Sequence, residues 1–123
     1  MRLGYVVLYV NDVQLCCDFW TNKFGMEVQS TTSIGAFQVV RIGFQGKETS
    51  IELVPLELMK SNPDGLDLAT PSLCFYVENL EIEHERLQVN GVEVSDISGD
   101  FGQPNFAFSD NEGRWFAVSA REQ

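Results

Sequence analysis

The sequence predicts an α+β fold in which two βαβββ repeats form curved mixed sheets around a central cavity. Three observations carry that prediction. Strand, helix and glycine positions recur at a near-constant offset of 65 to 67 residues: Tyr5 against Ser72, Val10 against Val77, Gly25 against Gly91, and Ile51-Glu52-Leu53-Val54 against Phe116-Ala117-Val118-Ser119. A constant offset through several element types marks an internal duplication. Each half reads strand, helix, then three strands. One helix covers one face of such a sheet and leaves the other bare, so two curved sheets side by side enclose a trough. Between the halves, Leu56 to Thr70 holds the turn-rich Asn62-Pro63-Asp64-Gly65 and no sustained period, which makes it a connector. The chain is thus one domain, with repeat one at 1–55, the connector at 56–70 and repeat two at 71–123.

The elements follow in order. Tyr5 to Val10 is short, β-branched and aromatic, and ends at Asn11-Asp12, as a strand does. Asp12 is a candidate N-cap for a helix over Val13 to Phe24, whose apolar positions Val13, Cys16, Cys17, Phe19, Trp20 and Phe24 fall at helical spacings, with Gly25 at the C-cap. The helix aromatics Phe19, Trp20 and Phe24 are read as core. Met26 to Thr32 and Ala36 to Phe44 are strand-like, and Gln45-Gly46-Lys47 turns the chain into Thr49 to Val54. In the second half Ser72 to Val77 is a strand and Leu80 to Asn90 a polar helix capped by Gly91. Val92 to Ile97, Asn105 to Ser109 and Arg114 to Ala120 complete the repeat, the last two joined by the turn Asp110-Asn111-Glu112-Gly113.

Composition narrows the function classes. The 44% hydrophobic content and nine phenylalanines fit a folded protein. A formal net charge of −10 disfavours nucleic acid and anionic membrane surfaces as partners, and is permissive of cationic ligands. No apolar run reaches the roughly 18 residues of a membrane span, and the N-terminus enters a strand-like run without a separable signal peptide. Cys16, Cys17 and Cys74 are an odd set without metal-ligand spacing, so they read as reduced thiols in a cytoplasmic protein.

Glu52 is the carboxylate set inside an apolar strand, Ile51 to Pro55. Side chains alternate across a strand, so Glu52 and Val54 face away from Ile51 and Leu53. A carboxylate turned into a cavity needs a metal, a base or a cationic group to offset its desolvation, whereas an edge strand facing water would satisfy it equally. The same alternation puts Val6, Leu8 and Val10 under the first helix and Leu73, Phe75 and Val77 under the second. Tyr5, Val7, Tyr9, Ser72, Cys74, Tyr76, Trp115, Ala117 and Ser119 then join Glu52 in the trough. The only histidine, His84, sits among Glu81, Glu83, Glu85 and Arg86 and reads as a solvated surface residue. No histidine is placed to activate Cys74, and the glycines are spaced as turns and caps rather than as a phosphate loop.

The opening YVVLYVNDVQLCCDFWTNKFGMEV, the strand IELV, the second-half SLCFYVEN and the closing FSDNEGRWFAV together resemble the glyoxalase / bleomycin-resistance / extradiol-dioxygenase superfamily, the vicinal oxygen chelate proteins. The resemblance covers nearly the whole chain. It implies metal ligands, in the metal-dependent members, on the first and last strands of each half, which correspond here to Tyr5, Glu52, Ser72 and Ala117. Only Glu52 is a competent ligand, whereas a transition-metal site needs three or four N, O or S donors.

The expected protein is therefore a soluble, metal-free member of that superfamily, without a cofactor, that sequesters an aromatic or cationic, antibiotic-like ligand. Tyr5, Tyr9, Glu52, Ser72, Cys74, Tyr76 and Trp115 would line its binding site by stacking and hydrogen bonding. The resemblance further implies a homodimer. The alternative is a lyase, isomerase or dioxygenase of the same superfamily, with or without a metal ion, with Glu52 as its catalytic residue.

Overall fold

The structure, a computed structural model, describes residues 1–99 and 102–120; the tail of the second repeat, 121–123, lies outside the described residues. The chain divides into two compact units, Met1–Pro71 and Ser72–Gln123.

The first unit holds β1 (Val6–Val10), α1 (Val13–Phe24), β2 (Glu27–Ile34), β3 (Phe37–Gly43) and β4 (Ser50–Pro55), followed by a 3-10 turn at Leu56–Met59. The helix starts where Asp12 accepts the Leu15 N–H at 2.9 Å, which satisfies one of the orphan donors of the first turn. It stops at Gly25, whose φ of 70° is the left-handed conformation that a side chain disfavours. The strands form one sheet in the order β1-β4-β3-β2, with β1 parallel to β4 and the other pairs antiparallel. Leu8, Val10, Ile42, Ile51 and Leu53 are buried on one face, together with Cys16, Cys17 and Trp20 of α1. Trp20 is fully buried and packs against Phe19 and Phe24 at centroid distances of 5.5 and 5.1 Å, as the helical spacing predicts.

The outer strand β2 is exposed at every position. It is not regular: Val28 pairs with Ile42 and Ser30 with Arg41, so Gln29 is an extra residue that forms a β-bulge. The Gln29 side chain lies across Gly43, where a Cβ would run into its amide and come within 3.1 Å of the Thr49 carbonyl oxygen. From there it accepts a hydrogen bond from the Ser50 hydroxyl at 2.6 Å. A side chain at Gly43 would thus displace the Gln29 amide and crowd the Thr49 carbonyl, while the backbone conformation itself makes no demand for glycine.

The second unit holds β5 (Cys74–Val77), α2 (Leu80–Val89), β6 (Asn105–Ser109) and β7 (Trp115–Ala120). Its sheet runs β5-β7-β6, again with the first strand parallel to the last and the last antiparallel to its predecessor. Asn79 caps α2 by accepting the Ile82 N–H at 3.0 Å, the counterpart of Asp12. Phe75, Phe108 and Phe116 make a ring cluster with centroids 5.8 to 6.4 Å apart. Arg114 closes the turn before β7 instead of extending the strand: it pairs with Asp110 and Glu112 at 3.3 and 2.8 Å. The Asp110 and Glu112 carboxylates hold this guanidinium above its ordinary range despite its burial.

Two expectations are corrected in this unit. Val92 to Ile97 is not a strand; the segment touches β6 only through isolated bridges, Val94 to Phe108 and Ser98 to Asn105. The cause is Ser95. Its N–H donates to the Ala107 carbonyl, but the Ala107 N–H donates back to the Ser95 hydroxyl rather than to a main-chain carbonyl, both at 2.8 Å. A side chain has replaced a rung of the ladder. The Ser95 carbonyl is taken by His84 Nε2 at 2.8 Å. His84 is accordingly not a solvated surface residue. It is half-buried, with its ring edge-on to Phe106 at 5.0 Å, and it ties α2 to the interrupted segment.

Candidate functional site

In the first unit, Val7, Glu52, Arg41 and Ser30 lie side by side across β1, β4, β3 and β2. Alternation turns this row away from the buried Leu8, Leu53 and Ile42. Glu52 is half-buried, with 17% of its side chain exposed, and it is not a lone acid. Arg41 donates from Nη2 at 2.7 Å and from Nε at 3.2 Å to the same oxygen, Glu52 Oε2. The guanidinium carbon of Arg41 sits 4.0 Å from the centroid of the Tyr5 ring. Three residues from three parts of the chain thus form one assembly, an ion pair resting on an aromatic face. Tyr5 is 40% exposed, and Val7 and Tyr9 are half-buried. Val39 and Val54, on the face of Glu52 by alternation, are buried as well, so the polar row has an apolar flank.

The equivalent row of the second unit is Cys74, Ala117 and Ala107. Two alanines stand where the first unit carries the charged pair. Cys74 is exposed, with Sγ 3.6 Å from the Ser119 hydroxyl. Ser72 is exposed, Tyr76 is 64% exposed and Trp115 47% exposed, all three off the phenylalanine face. Tyr5, Tyr76 and Trp115 are thus exposed rings, while Tyr9 is half-buried.

Arg41 is the residue that sequence reasoning missed. A signal for it existed: Arg41 lies five residues before Gly46 and Glu52 five residues after Lys47. A hairpin folded about that bond sets the two opposite one another, where unlike charges attract.

The donor positions implied by the superfamily do not fit a metal ion. Ala117 has no ligating atom, the Tyr5 ring is occupied by Arg41, and the Glu52 carboxylate is neutralised by the guanidinium. Among the described residues no three of His, Cys, Asp and Glu cluster as a metal site would need. A separate open groove of about 260 Å³ lies at the head of α1, bordered by Asn11, Asp12, Gln14, Gln38 and Glu57. Its acids are committed elsewhere, Asp12 to the helix cap and Glu57 to Lys60 at 3.3 Å.

Comparison with known proteins is consistent throughout. The sequence model of the Glyoxalase/Bleomycin resistance protein/Dioxygenase superfamily matches residues 2–118. The chain is 28% identical over 125 residues to the uncharacterised protein YetH of Bacillus subtilis (strain 168), which covers 95% of this chain and 96% of YetH. Among solved structures it is similar to TnmS3, an antibiotic binding protein from Streptomyces sp. CB03234, with a TM-score of 0.79 at 17% identity over 99% of this chain and 97% of that one. A member of the superfamily from Sphaerobacter thermophilus DSM 20745 superposes with a TM-score of 0.80 at 18% identity over 98% of both chains.

Proposed function

The chain belongs to the Glyoxalase/Bleomycin resistance protein/Dioxygenase superfamily, and on that footing we propose that it is a binding protein that sequesters a small aromatic molecule without a metal ion. One observation carries the proposal: Tyr5, Tyr76 and Trp115 keep 40 to 64% of their surface exposed on sheet faces turned away from the buried core. Large rings left outside a core are available to stack on a planar ligand. The engagement of Glu52 by Arg41 favours binding over chemistry, because the carboxylate oxygen that accepts both guanidinium bonds is taken up by the ion pair rather than left to a metal or a substrate proton. It also favours the aromatic over the cationic ligand, since the charge that would attract a cation is already countered. The likeness to an antibiotic binding protein agrees with this reading.

The site residues are Tyr5, Tyr9 and Glu52 in the first unit, and Ser72, Cys74, Tyr76 and Trp115 in the second. Free cysteines suit a reducing, cytoplasmic setting, and a homodimer is the proposed assembly, to be checked by light scattering. No helix among the described residues is long and apolar enough to cross a membrane.

A thermal-shift screen of small aromatic compounds, with and without added divalent metal, tests the proposal. Trp115→Ala and Tyr76→Ala should each weaken capture of a hit by about tenfold while shifting stability by less than about 1 kcal/mol. Unfolding of Trp115→Ala would place that ring in the core and remove it from the site. Near-stoichiometric Zn, Ni, Fe or Mn in purified protein, lost together with an enzymatic activity in Glu52→Gln, would replace the binding reading by a lyase, isomerase or dioxygenase.

A further inference from the structure

We infer that Arg41 is the specificity-determining residue of the first unit, and that the ligand class it selects is a planar, conjugated molecule carrying an oxygen acceptor such as a carboxylate, phenolate or carbonyl. The inference rests on the proposal that this sheet face takes a small molecule, and it adds the residue that reads that molecule and the group it reads.

The geometry points to it in three ways. First, Arg41 is held on two sides: Nε and Nη2 are fixed on Glu52 Oε2, and one face lies on the Tyr5 ring. A surface arginine ordinarily loses rotamer freedom when it grips a ligand. Here that loss has already occurred on folding, so binding costs less. Second, the hold is incomplete. Two N–H groups of the five on a guanidinium are spent on Glu52, and the remaining three, on Nη1 and Nη2, donate no hydrogen bond among the described residues. With 36% of the side chain exposed, these donors are open to an incoming acceptor. Third, Glu52 and Arg41 cancel in charge, so a cation finds no net attraction while an oxygen acceptor finds free donors. The guanidinium face opposite Tyr5 accepts a flat π-system, because a planar, weakly hydrated cation stacks well on one. The buried Val39 and Val54 give the same face an apolar flank for the ring.

Three naphthalenes with the same ring and different substituents test this: 2-naphthoate, 2-naphthamide and 2-naphthylmethylammonium, each titrated calorimetrically into the whole chain. The expected order is naphthoate tightest and the ammonium weakest, the two separated by about tenfold or more. Arg41→Gln should erase that order, whereas Glu52→Gln should keep it. Arg41→Lys, the conservative variant in case Arg41→Gln fails to fold, should retain the preference for naphthoate but bind all three less tightly for want of a planar surface. Tightest binding of the ammonium, with the preference lost in Glu52→Gln, would overturn the inference by making Glu52 the reader. Equal binding of all three would overturn it too, while leaving a small-molecule site in place. If none of the three binds and the wider screen also yields no hit, the binding proposal falls along with it.

Discussion

Cys17 and Cys74 carry the same thiol into opposite surroundings. Cys17 is buried at 6% exposure on α1, whereas Cys74 stands exposed at the start of β5. Burial first, and then the charge of the neighbouring Asp18, push the Cys17 thiol above its ordinary value of 9.0. In the native state an aromatic disulfide reagent should therefore modify one thiol quickly, and that thiol should vanish in Cys74→Ser; the other two should react only on unfolding. The pH dependence follows from the same shift. A thiol whose folded value is raised contributes stability that is whole below about pH 9 and is lost as the pH rises through the folded value, because the unfolded chain ionises first. Urea midpoints measured from pH 8 upward should fall more shallowly in Cys17→Ala than in the parent chain. Legibility at this scale was uneven. Glu52 stood out as a carboxylate among Ile51, Leu53 and Val54, but its partner did not, since an arginine in a strand is an ordinary surface residue until the hairpin register is worked out.

At the scale of elements, the ends of the helices are the clearest product of sequence. Asp12 and Asn79 occupy the same place in each repeat and make the same bond, to Leu15 N–H and Ile82 N–H. Asp12→Ala and Asn79→Ala should each cost about 1 kcal/mol in chemical unfolding, with ligand capture unaffected. The α1 boundaries, Val13 and Phe24, were legible because cap, apolar spacing and glycine agree on them. The second strand expected in the second repeat was misread for a local reason. Val92 and Val94 alternate as a strand should, but pattern alone does not reveal that the Ser95 hydroxyl will accept the Ala107 N–H and that His84 will take the Ser95 carbonyl. Short polar side chains compete with the main chain for such bonds, and hydrophobic periodicity does not register that competition.

Across the whole molecule, duplication was readable because a repeat imprints many weak signals at one offset, and the two sheets have the same strand connectivity over their first, last and penultimate strands. What the repeat does not preserve is chemistry. Val7, Glu52 and Arg41 in one unit answer to Cys74, Ala117 and Ala107 in the other. Selection on backbone hydrogen bonding and core volume keeps the frame, while residues on the opposite face are free to diverge. The bulge at Gln29 has a separate consequence. A strand bare along its whole length, as β2 is, is a template on which further chains could stack into fibrils. The extra residue breaks the repeat of outward-facing amides, and the grip of Gln29 across Gly43 on Ser50 keeps it broken. Gly43→Ala should dislodge that side chain, cost about 1–2 kcal/mol and raise thioflavin-positive deposits on prolonged incubation. Gly43, two residues along β3 from Arg41, thus guards the chain's colloidal life.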